Sequence, residues 1–249
     1  MNRLESGGRG SFEVSGRGAP RGVIALDVYG TLVDPAGIAL QLGKTFGSQA
    51  QSAAQLWREK QLEYTFRRAL MHKYADFDTC TLHALRYVST SLGVRLDEAA
   101  ERALLEAYLH LPAFPDVRSG LARLSRARHT LIALTNGTEH SARTVLQNAG
   151  IAELLEAVLS ADRIRTFKPD PAVYALLDSI GGAEGQPRWL VSGNPFDVIG
   201  AKAAGVKAAW LRRDPQRSFD PWEFSADLVV RTLEEFCDEL EGTECGHAQ

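Results

Sequence analysis

The stretch that most limits what this chain can become is Val23-Ile-Ala-Leu-Asp27-Val-Tyr29-Gly-Thr31-Leu32. Four apolar residues run directly into an aspartate, and Gly30 follows three positions later. A run this short, closed by a turn-forming glycine, reads as a buried strand rather than a helix. Asp27 then falls at the strand's carboxyl end, the edge on which open α/β sheets gather their reactive groups. An aspartate there also suits a helix cap or a turn, and position alone does not separate these roles.

The pattern changes after this strand. From about Ala36 to Leu111 there is no strand-like run. Gln51 to Tyr74 is the clearest helical stretch, with Leu56, Trp57, Leu62, Tyr64, Phe66 and Leu70 spread around two faces. Thr79 to Leu92 is a second, and Asp97 opens a third with Glu98 in its first turn, where a negative charge favours the helix dipole. Pro112 and Pro115 close the helical region. Beyond them the chain alternates. Leu131–Leu134 runs into Thr135-Asn136-Gly137, with Thr138 placed to cap a helix ending at Gly150. Ala157–Leu159 is a third strand, and Asp170-Pro171 starts a helix with proline at its favoured first position. Trp189–Val191 leads into Ser192-Gly193-Asn194 and a helix stopping at Gly205, and Val206–Leu211 and Asp227–Val230 complete the strands. Strands interleaved with helices give a parallel sheet with right-handed crossovers. The expected organisation is a flexible extension over 1–20, an α/β core over 21–36 and 114–240, a helical cap over 37–113 inserted after strand one, and a flexible tail over 241–249.

Composition narrows the class. With 45% apolar and 24% charged residues among 249, the chain is an ordinary soluble globular protein of one sizeable domain, or one with a large insertion. A net charge of -3 gives no electrostatic case for nucleic acid or an anionic membrane surface. No apolar run approaches the ~18 residues of a spanning helix, and the first twenty residues lack the continuous apolar region of a secretory signal. Cys80, Cys237 and Cys245 are widely spaced, odd in number and in no metal-ligand pattern, which reads as reduced thiols in the cytoplasm.

Four strand ends carry polar residues: Asp27, Thr135-Asn136, Lys168 after strand three, and Ser192 to Asp197. Parallel strands present their carboxyl ends on one edge, so these groups converge although they are distant in sequence. Each alone is weak, since a single Lys-Pro is usually a loop with a solvated charge. The signal is their convergence.

Asp27-x-Tyr29-Gly-Thr31-Leu32 resembles the nucleophile motif of the haloacid dehalogenase superfamily, and the tyrosine variant is similar to the type II 2-haloacid dehalogenases. The resemblance continues in Leu56-Trp-Arg58-Glu-Lys-Gln-Leu62-Glu-Tyr-Thr, Leu134-Thr-Asn-Gly137, Phe167-Lys-Pro-Asp-Pro-Ala-Val-Tyr174 and Val191-Ser-Gly-Asn-Pro-Phe-Asp197, covering Gly22 to about Arg213. It implies a Rossmann-like core under a helical cap. It also implies hydrolysis of haloacetates and (S)-2-haloacids to 2-hydroxy acids through an ester on Asp27, with neither metal nor cofactor. The haloacid and the halide product would be the ligands, and relatives of this kind are often dimers.

By that resemblance Asp27 is the nucleophile and Lys168 keeps it ionised, since an adjacent cation lowers a carboxylate pKa by about 1–3. Thr31 fixes the carboxylate rotamer. Thr135, Asn136 and the backbone N–H groups of Val28 and Tyr29 hold the substrate carboxylate. Arg58, with Asn136 and Phe77, surrounds the departing halide. Leu62 and Phe196 supply apolar wall. Ser192, Asn194 and Asp197, with Tyr174 behind Lys168, position and activate the water that hydrolyses the ester. Plainer roles stand beside these: Arg58 as a cap-surface charge, Tyr174 as core, and Phe77 and Leu62 as apolar residues that any cap buries.

Some positions depart from the family's habit, which often has serine at Thr135 and Gly193 and alanine-tryptophan at Pro195-Phe196. These changes bear on pocket size. Phosphatases of the superfamily instead carry a second aspartate where Tyr29 stands and an acidic residue where Gly193 stands, and they use magnesium. A non-catalytic binding protein is the other alternative, and it has no need to keep Asp27, Lys168 and Asp197 together.

Overall fold

Strand β1 (Gly22–Leu26) is buried along its whole length, and its side chains divide by parity between two cores. Val23 and Ala25 join one apolar cluster and Ile24 and Leu26 the other, as the two-residue repeat of a strand requires when both faces are covered. The computed structural model describes residues 20–181 and 185–245. In it β1 pairs with β2 (His129–Thr135) on one side and β4 (Arg188–Ser192) on the other. With β3 (Ala157–Ser160), β5 (Lys207–Leu211) and β6 (Leu228–Val230) the order is β3-β2-β1-β4-β5-β6, parallel throughout. Chain order reverses between β1 and β4, which is where an open α/β sheet forms its crevice.

Between β1 and β2 come α1 (Ala39–Phe46), α2 (Ala50–Leu70), α3 (Phe77–Ser91), α4 (Glu98–Tyr108) and α5 (Val117–Arg126). The first four make the inserted helical layer. Its two crossings are tied together: Asp34 N–H donates to Pro112 O at 2.9 Å and Phe114 N–H to Leu32 O at 3.1 Å. Val33 bridges both Tyr29 and Ala113. The remaining crossovers carry α6 (Glu139–Asn148), α7 (Pro171–Ala175) and α8 (Pro195–Ala203), and α9 (Leu233–Cys245) packs on α5.

Local signals account for most boundaries. Asp97 caps α4 by accepting from Ala100 N–H, and Thr138 caps α6 by accepting from Ser141 N–H. Two limits differ from expectation. Helix α2 stops at Leu70, because His72 turns into the left-handed region at φ 53°, and Tyr74 lies in the connection instead. Helix α3 then starts at Phe77, since Asp76 caps it by accepting from Thr79 N–H. Helices α1, α5 and α9 have no counterpart among the elements expected from the sequence. At the other end α9 is helical through residues 241–245, where Glu241 meets Arg123 of α5 in a two-pronged ion pair. The expected extension over 1–20, apart from Pro20, and the residues after Cys245 lie outside the described residues. No helix among the described residues is long and apolar enough to cross a membrane.

Candidate active site

Because β1, β2 and β4 are neighbours, their carboxyl ends bring Asp27, Thr135 and Ser192 onto one edge, and the loop after β3 adds Lys168. Asp27 is 7% exposed, and its two oxygens are served unequally. Oδ2 accepts from Thr31 Oγ1 at 2.8 Å, Asn194 Nδ2 at 2.7 Å and, more distantly, Ser192 Oγ at 3.3 Å. Oδ1 accepts from Lys168 Nζ at 3.1 Å. The second side keeps room for a lone pair to act.

Lys168 is 1% exposed and spends its three ammonium hydrogens on three acceptors: Asp27 Oδ1, Leu134 O at 2.7 Å and Asp197 Oδ2 at 2.8 Å. Burial alone would depress its pKa, but the two flanking carboxylates outweigh burial and raise it, so it remains a cation. Burial likewise pushes Asp27 upward, and the Lys168 charge with the Thr31 hydrogen bond reverses this, holding Asp27 below the ordinary aspartate range. Asp197 goes the other way. Its complete burial, reinforced by the negative charge of Asp27, raises it despite Lys168. One ammonium therefore serves two carboxylates of unequal acidity, the arrangement that separates a nucleophile from its partner.

Tyr174 is expected behind Lys168, but its hydroxyl donates to Asp197 Oδ1 at 2.8 Å. It holds the lysine's partner and not the lysine. Gly200 on α8 makes this approach possible, since a Cβ there would run into the Tyr174 hydroxyl. Gly193 does similar work at the end of β4. A side chain there would collide with Gly30 O, and its N–H instead donates to Thr31 Oγ1 at 2.8 Å.

Around the carboxylate the other expected residues take these places. Thr135 is fully buried and its Oγ1 accepts from Gly137 N–H at 3.0 Å. Asn136 Oδ1 accepts from Lys168 N–H at 2.8 Å, which leaves its NH2 group as the donor side. Val28 is fully buried. The Tyr29 ring stacks on Phe77 at 5.6 Å, and burial raises its phenol far above the ordinary range. Arg58 descends from α2, donating through Nη2 to Tyr29 O at 3.4 Å and through Nη1 to Gln61 Oε1 at 2.7 Å. Leu62 and Phe196 border different cavities. Leu62 lines a cavity of about 470 Å³ with Arg58, Gly30 and Asn194. Phe196 meets Phe66 edge-on at 5.3 Å and lines another, of about 1020 Å³, with Lys168 and Tyr74. Asn194 borders the first cavity and Lys168 the second, and both donate to Asp27.

Several residues of the site carry no signal in the sequence. Gln61, Thr81 and Tyr108 sit behind Arg58 in a buried polar chain. Arg213, held by Asp116 at 2.7 Å, donates to Thr31 O at 2.7 Å and so braces the turn after Asp27. Cap and core are further joined by Tyr74 donating to Asp162 at 2.6 Å and by Ser141 donating to Asp78 at 2.7 Å.

A depressed strand-end carboxylate on a buried ammonium, under an inserted helical layer, defines an α/β enzyme that works through a carboxylate nucleophile. The haloacid dehalogenase-like hydrolase family matches residues 22–205, and the chain belongs to that family. Relatives include haloacetate dehalogenase H-2 of Moraxella sp. (strain B), 36% identical over 190 residues, 76% of this chain and 85% of that protein. The (S)-2-haloacid dehalogenase H-109 of Pseudomonas putida is 34% identical over 217 residues, 87% of this chain and 96% of that protein. Among solved structures, L-2-haloacid dehalogenase from Xanthobacter autotrophicus with chloropropionic acid covalently bound superposes with a TM-score of 0.84 at 31% identity, covering 88% of this chain and 98% of that one.

Proposed function

We propose that this chain hydrolyses the carbon–halogen bond of haloacetates and (S)-2-haloacids through an ester on Asp27. The observation that carries the reading is the asymmetric Asp27 carboxylate, with Oδ2 filled by three donors and Oδ1 bonded to Lys168. Relatives named haloacetate and (S)-2-haloacid dehalogenases support the substrate class, and a related structure holding chloropropionic acid covalently supports the ester.

In the first step Asp27 Oδ1 attacks C2 of the haloacid, the new C–O bond forms as the carbon–halogen bond breaks, and the electron pair leaves on the halide. No proton is required. Arg58 places a cation where negative charge develops. In the second step water attacks the Asp27 carboxyl carbon. Oδ2 is then the ester carbonyl oxygen, and Thr31, Asn194 and Ser192 already donate to it, so they act as an oxyanion hole as its charge grows. This assigns Ser192 and Asn194 to the carbonyl oxygen rather than to the water. Asp197 accepts the water proton, and with Asp27 esterified the Lys168 charge serves Asp197 alone. The bond from the carboxyl carbon to Oδ1 then breaks, Oδ1 leaves as the hydroxyl oxygen of the product and takes that proton from Asp197, and the new Asp27 carboxyl group ionises. Products are the 2-hydroxy acid, halide and one proton, with Asp27 restored.

The same reading places the enzyme in the cytoplasm. Cys80 and Cys237 are buried and unpaired, and burial pushes both thiols up to about 11, so they are structural rather than reactive.

Single turnover in heavy-oxygen water tests the reading. Label should enter Asp27 and not the product of that turnover, with halide released from chloro- and bromoacetate and from one enantiomer of 2-chloropropionate. Label appearing directly in the hydroxy acid would mean that water, not Asp27, attacks the substrate.

A further inference from the structure

Arg58 sits on a cap helix, yet its task needs it fixed against the core, and a long side chain spanning that gap loses rotamer freedom when held. Its environment supplies the restraint. Gln61, one turn further along α2, is 1% exposed, and its Oε1 accepts from Arg58 Nη1 at 2.7 Å. The same oxygen accepts from the Tyr108 hydroxyl of α4 at 3.1 Å. The amide nitrogen donates to Thr81 Oγ1 of α3 at 2.6 Å, and the Thr81 hydroxyl passes its own hydrogen to Phe77 O at 2.8 Å.

The chemistry of these groups allows one orientation of the amide. Arg58 is donor-only, so the atom facing it must be an acceptor. Thr81 has committed its hydrogen to Phe77 O, so it faces Gln61 as an acceptor and selects the NH2 side. Three cap helices thus fix one carbonyl oxygen. That oxygen fixes one prong of the guanidinium while the other reaches Tyr29 O, two residues beyond the nucleophile. Two aromatic contacts close the cage: Tyr108 lies 5.5 Å from Tyr29 and 5.4 Å from Trp57.

We infer that Gln61 is a positioning residue for halide expulsion, aiming Arg58 at the leaving group, with Thr81 setting the orientation of its amide. The inference rests on the dehalogenase reading and goes beyond it in assigning roles to groups that do not touch the substrate. Its signature is dependence on the leaving group. A poorer leaving group draws more on the cation, so a misaimed Arg58 slows chloride release more than bromide or iodide release. A general defect in folding or packing slows all three by one factor.

The experiment is single-turnover halide release from chloro-, bromo- and iodoacetate for wild type, Gln61→Leu, Thr81→Val, Thr81→Ser, Arg58→Ala and the Gln61→Leu/Arg58→Ala double variant. Wild-type release comes first, and its absence would remove the dehalogenase reading itself. Given release, Gln61→Leu should lose on the order of 10- to 10²-fold on chloroacetate, the range that misplacing a catalytic group commonly costs. It should lose less on iodoacetate, with KM moving little. In the Arg58→Ala background the same change should add nothing. Thr81→Val should reproduce the pattern more weakly and Thr81→Ser should not. Equal losses across the three halides, or losses that multiply fully with Arg58→Ala, would make Gln61 a packing residue and overturn the inference. Should Gln61→Leu fail to fold, Thr81→Val compared with Thr81→Ser separates positioning from packing by the same halide dependence.

Discussion

Lys168 Nζ lies 2.8 Å from Asp197 Oδ2, and neither side chain has more than 1% exposure. Asp27 is the third member of this buried triad, which carries two negative charges against one positive. Such a group is held by mutual satisfaction, and its behaviour on substitution follows from that.

Replacing Lys168 by methionine should destabilise the fold by about 3–5 kcal/mol at neutral pH, because two carboxylates remain buried without a cation. Their folded pKa values then rise above the unfolded ones, so the folded state binds more protons and the loss should shrink as pH falls. Urea unfolding at neutral and mildly acidic pH checks this. In the wild type the sign for Asp27 is opposite. Its pKa is depressed, so its stabilisation is present above the unfolded value and lost as pH falls through the folded one. The halide burst of the first step should accordingly hold steady down to the ordinary aspartate range, and in Lys168→Met its acid limb should move up.

Tyr174→Phe removes the donor to Asp197 Oδ1 in a fully buried site, at a cost of about 1–3 kcal/mol. The proposed mechanism uses Asp197 in the second step, so a burst of halide should persist while steady-state turnover falls and the ester on Asp27 accumulates. Rapid-quench halide measurement separates the two phases. A burst slowed as much as the steady state would mean that Tyr174 only fills the core.

Gly193→Ala should cost about 1–3 kcal/mol by overpacking against Gly30 O and should displace the neighbouring Asn194 from Asp27. Turnover should fall along with the melting temperature, and Gly43→Ala, where a Cβ meets nothing within 4 Å, serves as the control with neither effect.

Much of this is legible in the chain and part is not. The strands stand out because a parallel sheet covered on both faces needs uninterrupted apolar runs, and the residues at their ends are placed by topology. The partner of Tyr174 is not readable, since α7 and α8 are brought together only by the sheet. Gln61, Thr81 and Tyr108 are invisible for a stronger reason. Polar residues at helical spacing look like a solvated face, and only the packing of α2, α3 and α4 turns them into a buried chain. Leu62 and Phe196 read as apolar wall, but which cavity each borders is decided only by how the cap helices pack on the core.

Dehalogenation should survive exhaustive chelation, and p-nitrophenyl phosphate should be a negligible substrate with or without magnesium. The space between the two carboxylates is filled by the Lys168 ammonium, and Gly193 has neither a side-chain oxygen nor room for one. The Tyr29 phenol, raised by burial, is a poor acid for a leaving alkoxide. Loss of halide release on chelation, or rapid phosphate release with magnesium, would contradict these assignments.

The crossing from core to cap has a consequence for substitution. Val33 is bridged to Ala113 on the returning segment and to Tyr29 in the turn that follows Asp27. The seam between the two layers and the turn beside the carboxylate therefore share a residue. Whatever loosens the return at Ala113 is felt, through one side of Val33, in the backbone that Asn194 and Arg58 both reach at Tyr29 O, so the seam is part of the site's own support.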